Sequence, residues 1–507
     1  MGHLLLSGGT VLIHGENDKV TARKTDILIT GDRISKIEPE IEPPSDADII
    51  DCTDKLISPG FIDTHHHVWQ APLKGLFADC TFSQYLGISG YSLKATGHML
   101  TYPGTVASKY FTAEDGFWGN LAGCMEAIDA GTTTVLDHAH LNWSRDHSKH
   151  AIAGTISSGI RSIFAYTPTV RLDQHEPQLK FDDKPVADWV MDTFEELAKS
   201  SPLNEKNFRV KLGFGFDYYF LPKDTVIRLF EKARSLGASV ITSHCNIFKG
   251  EMAIGVPALL KKYGLLDDRV VFAHGGSIRP QDAKLLREAD AYVSVTPSTE
   301  QSMAVGPSVC FRDDLPGMDK LCSLGIDCHC ATSSSIVNEM RMGLQFARGL
   351  DSKKHLMKGQ LPDDVFHKVE EVYNMGTIQG ARALGMEKDI GSIALGKKAD
   401  LTVINAMSPA MFGAAQQDPI GAIVFHSGIG DIDTVIIDGR VRKLDGKLRC
   451  VKQFEWKDGG FVKGSKELAW PEVAQRTLKI QKRLVKKISE YDTRKVGDHV
   501  AKMINVK

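Results

Sequence analysis

Two histidines one residue apart, in Asp63-Thr64-His65-His66-His67, are the first residues along the chain equipped for chemistry. They end a short apolar run that reads as a β-strand, where alternate side chains share a face. His65 and His67 therefore point together, and His66 points away. Neutral imidazole is a common metal ligand, and two on one face provide half a tetrahedral site. Three further polar residues end apolar strand-like runs: His244 after Val240-Ile241-Thr242-Ser243, His274 after Val270-Val271-Phe272-Ala273, and Asp327 after Leu324-Gly325-Ile326. Imidazoles and a carboxylate around a divalent ion leave a position for water and lower its pKa toward 7, which is hydrolytic chemistry. A carboxylate in such a set can take the water's proton, and an imidazole beside the ion can orient the water or polarise the substrate.

The elements that must carry these residues follow from periodicity. Strand-like runs fall near 59–65, 133–138, 161–166, 208–214, 239–244, 270–274, 291–296 and 324–328, with amphipathic stretches between them. This βα alternation predicts an α/β fold, a (β/α)8 TIM barrel over residues 58–395, whose active site lies at the C-terminal ends of the strands. The best-defined helix spans 113–130, with Thr112 as N-cap, Asp115 three residues on and Gly131 past its end. Before the barrel, Leu4-Leu5-Leu6, Thr10–Ile13, Ile27–Thr30 and Ile34–Ile37 read as short strands, with Gly31-Asp32 as a hairpin turn. Strands return at Asp400–Ile404 and Thr434–Arg440. A small flanking β-sandwich built from both chain ends, residues 1–57 and 396–450, is the economical arrangement. Residues 451–507 are expected to form a C-terminal helical extension. In it Pro471 opens a helix through Ile488, with Val473, Thr477, Ile480, Leu484 and Ile488 on one stripe.

The chain resembles the amidohydrolase superfamily of metal-dependent barrel hydrolases. Pro59-Gly60-Phe61-Ile62-Asp63-Thr64-His65-His66-His67 matches its strand-one signature. Gly391-Ser392-Ile393-Ala394-Leu395-Gly396-Lys397-Lys398-Ala399-Asp400-Leu401 matches the signature where the chain leaves the barrel. The similarity runs from near residue 1 to about 445, and Gly131–His138 brings it nearest the cytosine-deaminase and chlorohydrolase-like branch. The resemblance implies that His65, His67, His244 and Asp327 hold a divalent metal, with His274 beside the attacking water or the substrate. Zinc suits these donors, and iron or manganese accepts the same set.

One position departs from the deaminases of that branch, which carry a glutamate three residues after the strand-five histidine. Here it is Ile247, which cannot move a proton. Glu300, just past strand seven, is the first candidate for the missing acid; His329, His138, His140 and the loop residue Glu251 are the others. Lys211 on strand four raises the family's two-metal variant, in which a carboxylated lysine bridges two ions. It sits too far before the strand's end, so one ion is expected. The long loop from Val68 to about Tyr110 carries Trp69, Phe77, Phe82, Tyr85 and Tyr91, which either shape an aromatic pocket or form the loop's own core. Trp69, His138 and His329 are the expected substrate contacts.

The functional expectation is cleavage of a carbon–nitrogen bond, other than a peptide bond, in a small cyclic or aromatic molecule. Carbon–carbon or carbon–halogen cleavage on the same site is the alternative, and a non-catalytic barrel scaffold is the third reading. Bulk composition agrees with a globular enzyme: 507 residues, 42% hydrophobic and 24% charged. A net charge of -2 gives no bias toward nucleic acid or acidic membranes. No apolar run approaches the roughly 18 residues of a spanning helix, and the N-terminus lacks a signal-peptide pattern. Nine cysteines in so long a chain are no disulfide framework. A cytoplasmic enzyme with a small-molecule substrate, and with homo-oligomerisation open, is the resulting expectation.

Overall fold

The computed structural model describes residues 2–490 except 83–84, 86–90, 96–97, 103–106, 170, 175–179, 183, 185 and 246–254. Its centre is a parallel eight-stranded sheet in consecutive order: Phe61–His66, Thr132–Ala139, Arg161–Tyr166, Val210–Gly215, Ile241–His244, Val270–Ala273, Tyr292–Val295 and Cys322–Leu324. These are barrel strands one to eight; the first seven lie on expected runs, and the eighth shares only Leu324 with the run expected at 324–328. Strand eight is the exception in extent: it stops at Leu324, and Asp327 pairs with His66 in an isolated parallel bridge. That bridge closes the sheet into a barrel. Ile62, Leu136, Ile163, Val240 and Val271 pack together with Ala381 and Leu384 as an apolar layer beneath the strand ends.

Helix Ala113–Asp129 forms where its capping residues require. The Thr112 side chain accepts from Asp115 N–H at 3.2 Å, and Thr112 N–H donates to Asp115 Oδ2 at 2.6 Å. Phe117, Leu121, Met125 and Ile128 are buried along its inner face.

The two chain ends do meet beside the barrel. A four-stranded sheet uses His3–Ser7, Asp26–Thr30, Arg33–Glu38 and Ala47–Asp51. A seven-stranded sheet joins Thr10–His14, Val20–Lys24 and Lys55–Pro59 to Leu401–Asn405, Ile432–Ile437, Arg440–Leu444 and Lys447–Leu448. Leu6, Val11, Ile29, Ile57, Val403 and Ile436 share the core between them. Beyond residue 450 the chain differs from expectation, because a hairpin of Val451–Lys457 and Gly460–Leu468 precedes the helix Trp470–Ile488. Val473, Ile480 and Leu484 of that helix are buried against the main core, so its apolar stripe is spent on its own barrel. No described helix is long and apolar enough to cross a membrane.

Sandwich and barrel are locked by Arg161 on strand three. Its guanidinium donates to Asp400 Oδ2 at 2.6 Å and Oδ1 at 3.0 Å, and to Asp438 Oδ1 at 3.0 Å. Arg161 and Asp400 are buried, so removing one partner strands the other's charge. Arg161→Met is expected to lower unfolding free energy by about 3 kcal/mol, measured by denaturant titration. A midpoint matching the parent would mean that the two carboxylates do not depend on this cation.

Candidate metal centre

Strand ends bring the expected donors into one buried cluster. Ligand-capable atoms of His65, His244, His274 and Asp327 all lie within 4.8 Å of one another. His67 joins them on the side away from His274. His65 Nε2 lies 3.4 Å from Asp327 Oδ1, His67 Nε2 lies 3.2 Å from the same oxygen, and His67 Nε2 lies 3.3 Å from His244 Nε2. Donors about 2.0–2.1 Å from one ion stand about 3.3 Å apart in a near-tetrahedral arrangement, so these three spacings fit a single divalent ion with water as a further ligand. Both ring nitrogens of His65 are buried and have no hydrogen-bond partner in the protein, as a ligand face requires.

In His67, His244 and His274 the nitrogens turned away from the cluster are tied down. His67 Nδ1 donates to the His138 carbonyl at 2.9 Å, which leaves its Nε2 lone pair facing inward. His244 Nδ1 donates to Asp217 Oδ2 at 3.0 Å, and Asp217 Oδ1 accepts from His244 N–H at 2.8 Å. His274 Nδ1 shares a hydrogen bond with Thr296 Oγ1 at 2.9 Å, while its Nε2 stands 4.0 Å from Asp327 Oδ2. Two backbones are held where side chains are unfavourable: φ is +72° at His274 and +67° at Asp327. Gly325 permits the approach behind them, since a Cβ there would fall 2.6 Å from Ser294 Oγ and 2.8 Å from His65 O.

Protonation follows burial and neighbours. Burial drives the His65 pKa well below its ordinary value, against the pull of Asp327, so the ring is neutral. Burial alone would raise the Asp327 pKa, but the His274, His65 and His67 imidazoles hold it well below the usual carboxylate range. Burial would lower the His274 pKa, and Asp327 and Glu300 outweigh it and raise it. Neutral imidazoles around an ionised carboxylate are the forms that bind a metal.

Several expected site residues lie elsewhere. Glu300 is buried behind His274: its Oε1 is 3.7 Å from His274 Nδ1 and accepts from Thr296 N–H at 3.0 Å, while Oε2 accepts from Ser308 Oγ. It lies in the first turn of the helix Pro297–Ser302, and its carboxylate turns back to the Thr296 N–H and the Ser308 hydroxyl rather than into the donor cluster. His329 is also turned away. Its Nε2 meets His66 Nε2 at 3.0 Å and its Nδ1 lies 3.0 Å from Glu126, with both rings buried. Trp69 packs edge-on against Phe111 and His140 and reaches no ligand histidine among the described ring contacts. Phe77 and Tyr85 pack edge-on against each other, and the Tyr85 hydroxyl meets Gln70, so this part of the loop forms its own core. The Tyr91 side chain, Ile247 and Glu251 lie outside the described residues. Lys211 starts strand four and donates to the carbonyls of Glu205 and Lys206, at the end of the strand opposite the cluster.

His138 does reach the cluster, 4.5 Å from His244 between ring centroids, with its Nε2 3.2 Å from Asp217 Oδ2. Burial lowers its pKa to about 4, so it is a neutral ring at pH 7. His140 stacks 4.1 Å from His67, and both its nitrogens are buried without partners. Asp217 is the residue that sequence reasoning missed. It follows Gly213-Phe214-Gly215-Phe216 just past the end of strand four, the same signature that marks His244 and Asp327.

A model of the amidohydrolase family matches residues 56–442. The chain is 25% identical over 458 residues to a 5-methylthioadenosine/S-adenosylhomocysteine deaminase of Pyrococcus abyssi, covering 89% of this chain and 96% of that one. It is 25% identical over 455 residues to a 5'-deoxyadenosine deaminase of Methanothermobacter thermautotrophicus, covering 89% and 95%. Among solved structures, an adenosine deaminase from Xanthomonas campestris with bound zinc superposes with a TM-score of 0.70 at 16% identity, over 95% of this chain and 98% of that one. A zinc complex of an atrazine chlorohydrolase from Arthrobacter aurescens gives 0.71 at 16%, over 94% and 100%.

The carboxylate behind His244 carries a testable consequence. Asp217→Asn is expected to weaken divalent-metal affinity by about 10- to 100-fold, measured by chelator competition. Affinity equal to the parent's would show that His244 keeps its orientation without that charge.

Proposed function

The chain belongs to the amidohydrolase family, and on that footing we propose that it is a metal-dependent hydrolase. It cleaves a carbon–nitrogen bond, other than a peptide bond, in a small cyclic or aromatic molecule. The observation that carries this reading is the 3.2–3.4 Å spacing that links the His65, His67, His244 and Asp327 donor atoms, with the outer nitrogens of His67 and His244 hydrogen-bonded away. These four residues hold one divalent ion, and zinc is the first choice for such donors. The bound ion supplies Lewis acidity and makes hydroxide available from water at neutral pH.

The chain's own groups handle the proton. Asp327 turns Oδ1 to His65 and His67, and its Oδ2 is left toward His274, where it accepts the proton of the attacking water. His274, fixed by Thr296 and backed by Glu300, orients the attack and stands within reach of that proton. The new bond is carbon–oxygen, the broken bond is carbon–nitrogen, and the proton leaves with the amine through the Asp327–His274 pair. His138 contributes a neutral ring at the same strand ends and contacts the substrate. The similar curated proteins are deaminases of adenosine-type nucleosides, which favours a planar nitrogen heterocycle as the substrate class.

Protein purified without chelators is expected to carry about one divalent ion per chain by elemental analysis. His65→Ala combined with His67→Ala is expected to abolish both metal and turnover. A screen of aminated purines, pyrimidines and triazines should reveal ammonia release. Turnover of halogenated rings with none of the amines would move the reading to carbon–halogen cleavage, and metal-free parent protein would refute it.

A further inference from the structure

Behind strand one runs a chain of polar side chains, buried from Asp63 to His329 and partly exposed at Glu126, that the chemistry above does not use. His66 Nδ1 donates to Asp63 Oδ2 at 2.7 Å. His66 Nε2 meets His329 Nε2 at 3.0 Å, and His329 Nδ1 lies 3.0 Å from Glu126 Oε2. Glu126 Oε1 takes the Lys74 ammonium and accepts from Ser334 N–H at 3.2 Å. The inner end is equally tied, with Asp63 Oδ1 accepting from His65 N–H and from Ile326 N–H, each at 3.2 Å.

We infer that His329 is a positioning residue for the metal centre, holding the strand-one ligands and Asp327 in register by joining His66 to Glu126. The inference rests on the metal reading above. Its force comes from where the chain attaches. His66 sits between His65 and His67, and His329 sits two residues beyond Asp327. One buried chain therefore grips both arms of the cluster and anchors them on helix Ala113–Asp129 through Glu126.

The arms need such an anchor. Strand eight is three residues long and ends before Asp327, whose backbone is held at φ +67°. Two backbone hydrogen bonds join the arms at ligand level: Asp327 N–H to His65 O at 2.8 Å, and His67 N–H to Asp327 O at 2.7 Å. The helix is seated against the lock without slack. A Cβ at Gly123 would fall 2.6 Å from Val68 O and 2.8 Å from His329 Nε2. Residues that hold a ligand from behind in this way set metal affinity through geometry, because a misaligned donor loses more than a displaced packing atom.

The test uses full-length protein stripped of metal and titrated with Zn2+ against a competing chelator. The visible spectrum of the Co2+-loaded form reports ligand geometry, and melting of the metal-free form reports folding. His329→Leu is expected to raise the Zn2+ dissociation constant about 10- to 100-fold and to alter the Co2+ spectrum. Glu126→Gln, which keeps the shape and loses the charge, should move both in the same direction by less, and His329→Gln should recover part of the loss. Should His329→Leu fail to fold, Glu126→Gln decides. Zn2+ affinity within twofold of the parent and an unchanged Co2+ spectrum would overturn the inference, leaving the chain as core packing only. Failure of the parent itself to bind any metal would overturn the metal reading, and this inference with it.

Discussion

Two backbone hydrogen bonds between the first and last barrel strands carry an unusual share of this molecule's organisation. Their donors and acceptors belong to His65, His67 and Asp327, so closing the barrel and assembling the donor cluster are one event. Register at this seam cannot slip without chemical consequence. A shift of one residue would turn His66 inward and send His65 and His67 outward. That is why so much lies behind the seam: Gly325, which allows the approach, and the Asp63–His66–His329–Glu126 chain, which grips both sides.

The same seam explains how so many ionisable groups coexist in a dry interior. Isolated buried charges are expensive, and fully buried imidazoles avoid that cost by staying neutral. His65, His138 and His140 do so. The two carboxylates in contact with the cluster, Asp217 and Asp327, remain ionised because each is flanked by imidazoles that favour its charge. The site thus separates its roles by environment, with charge on the carboxylates, lone pairs on His65, His138 and His140, and a proton favoured on His274.

Legibility in the sequence followed regularity of the backbone. The barrel strands were readable because apolar runs alternate with helical stretches, and His65, His67 and His244 were readable because strict alternation holds to the end of a strand. Asp217 obeys the same rule but follows strand four, whose apolar pattern is interrupted by Lys211, Gly213 and Gly215, so its end is hard to see. Glu300 and His329 lie beyond regular strand, one in a short helix and one in a turn, where spacing no longer says which way a side chain points. The hairpin before the last helix was hidden for another reason: its residues are largely polar and only Val451, Phe461 and Leu468 are buried, so it lacks an apolar alternation to detect.

With Ile247 where the resemblance leads one to expect a glutamate, the place of Glu300 behind His274 acquires a sharper meaning. Glu300 contacts the ring on the side opposite Asp327, so His274 is flanked by carboxylates at both nitrogens. A histidine so flanked is stabilised as its protonated form and holds a proton next to Asp327. In the proposed reaction this arrangement makes one pair responsible for both taking the proton from water and returning it. Such a pair acts in sequence: Asp327 takes the water's proton, His274 gives its own to the leaving nitrogen, and the proton on Asp327 then restores His274. The leaving group must therefore stay within reach of His274 through both steps, which places geometric demands on the substrate ring that a separate glutamate would relax.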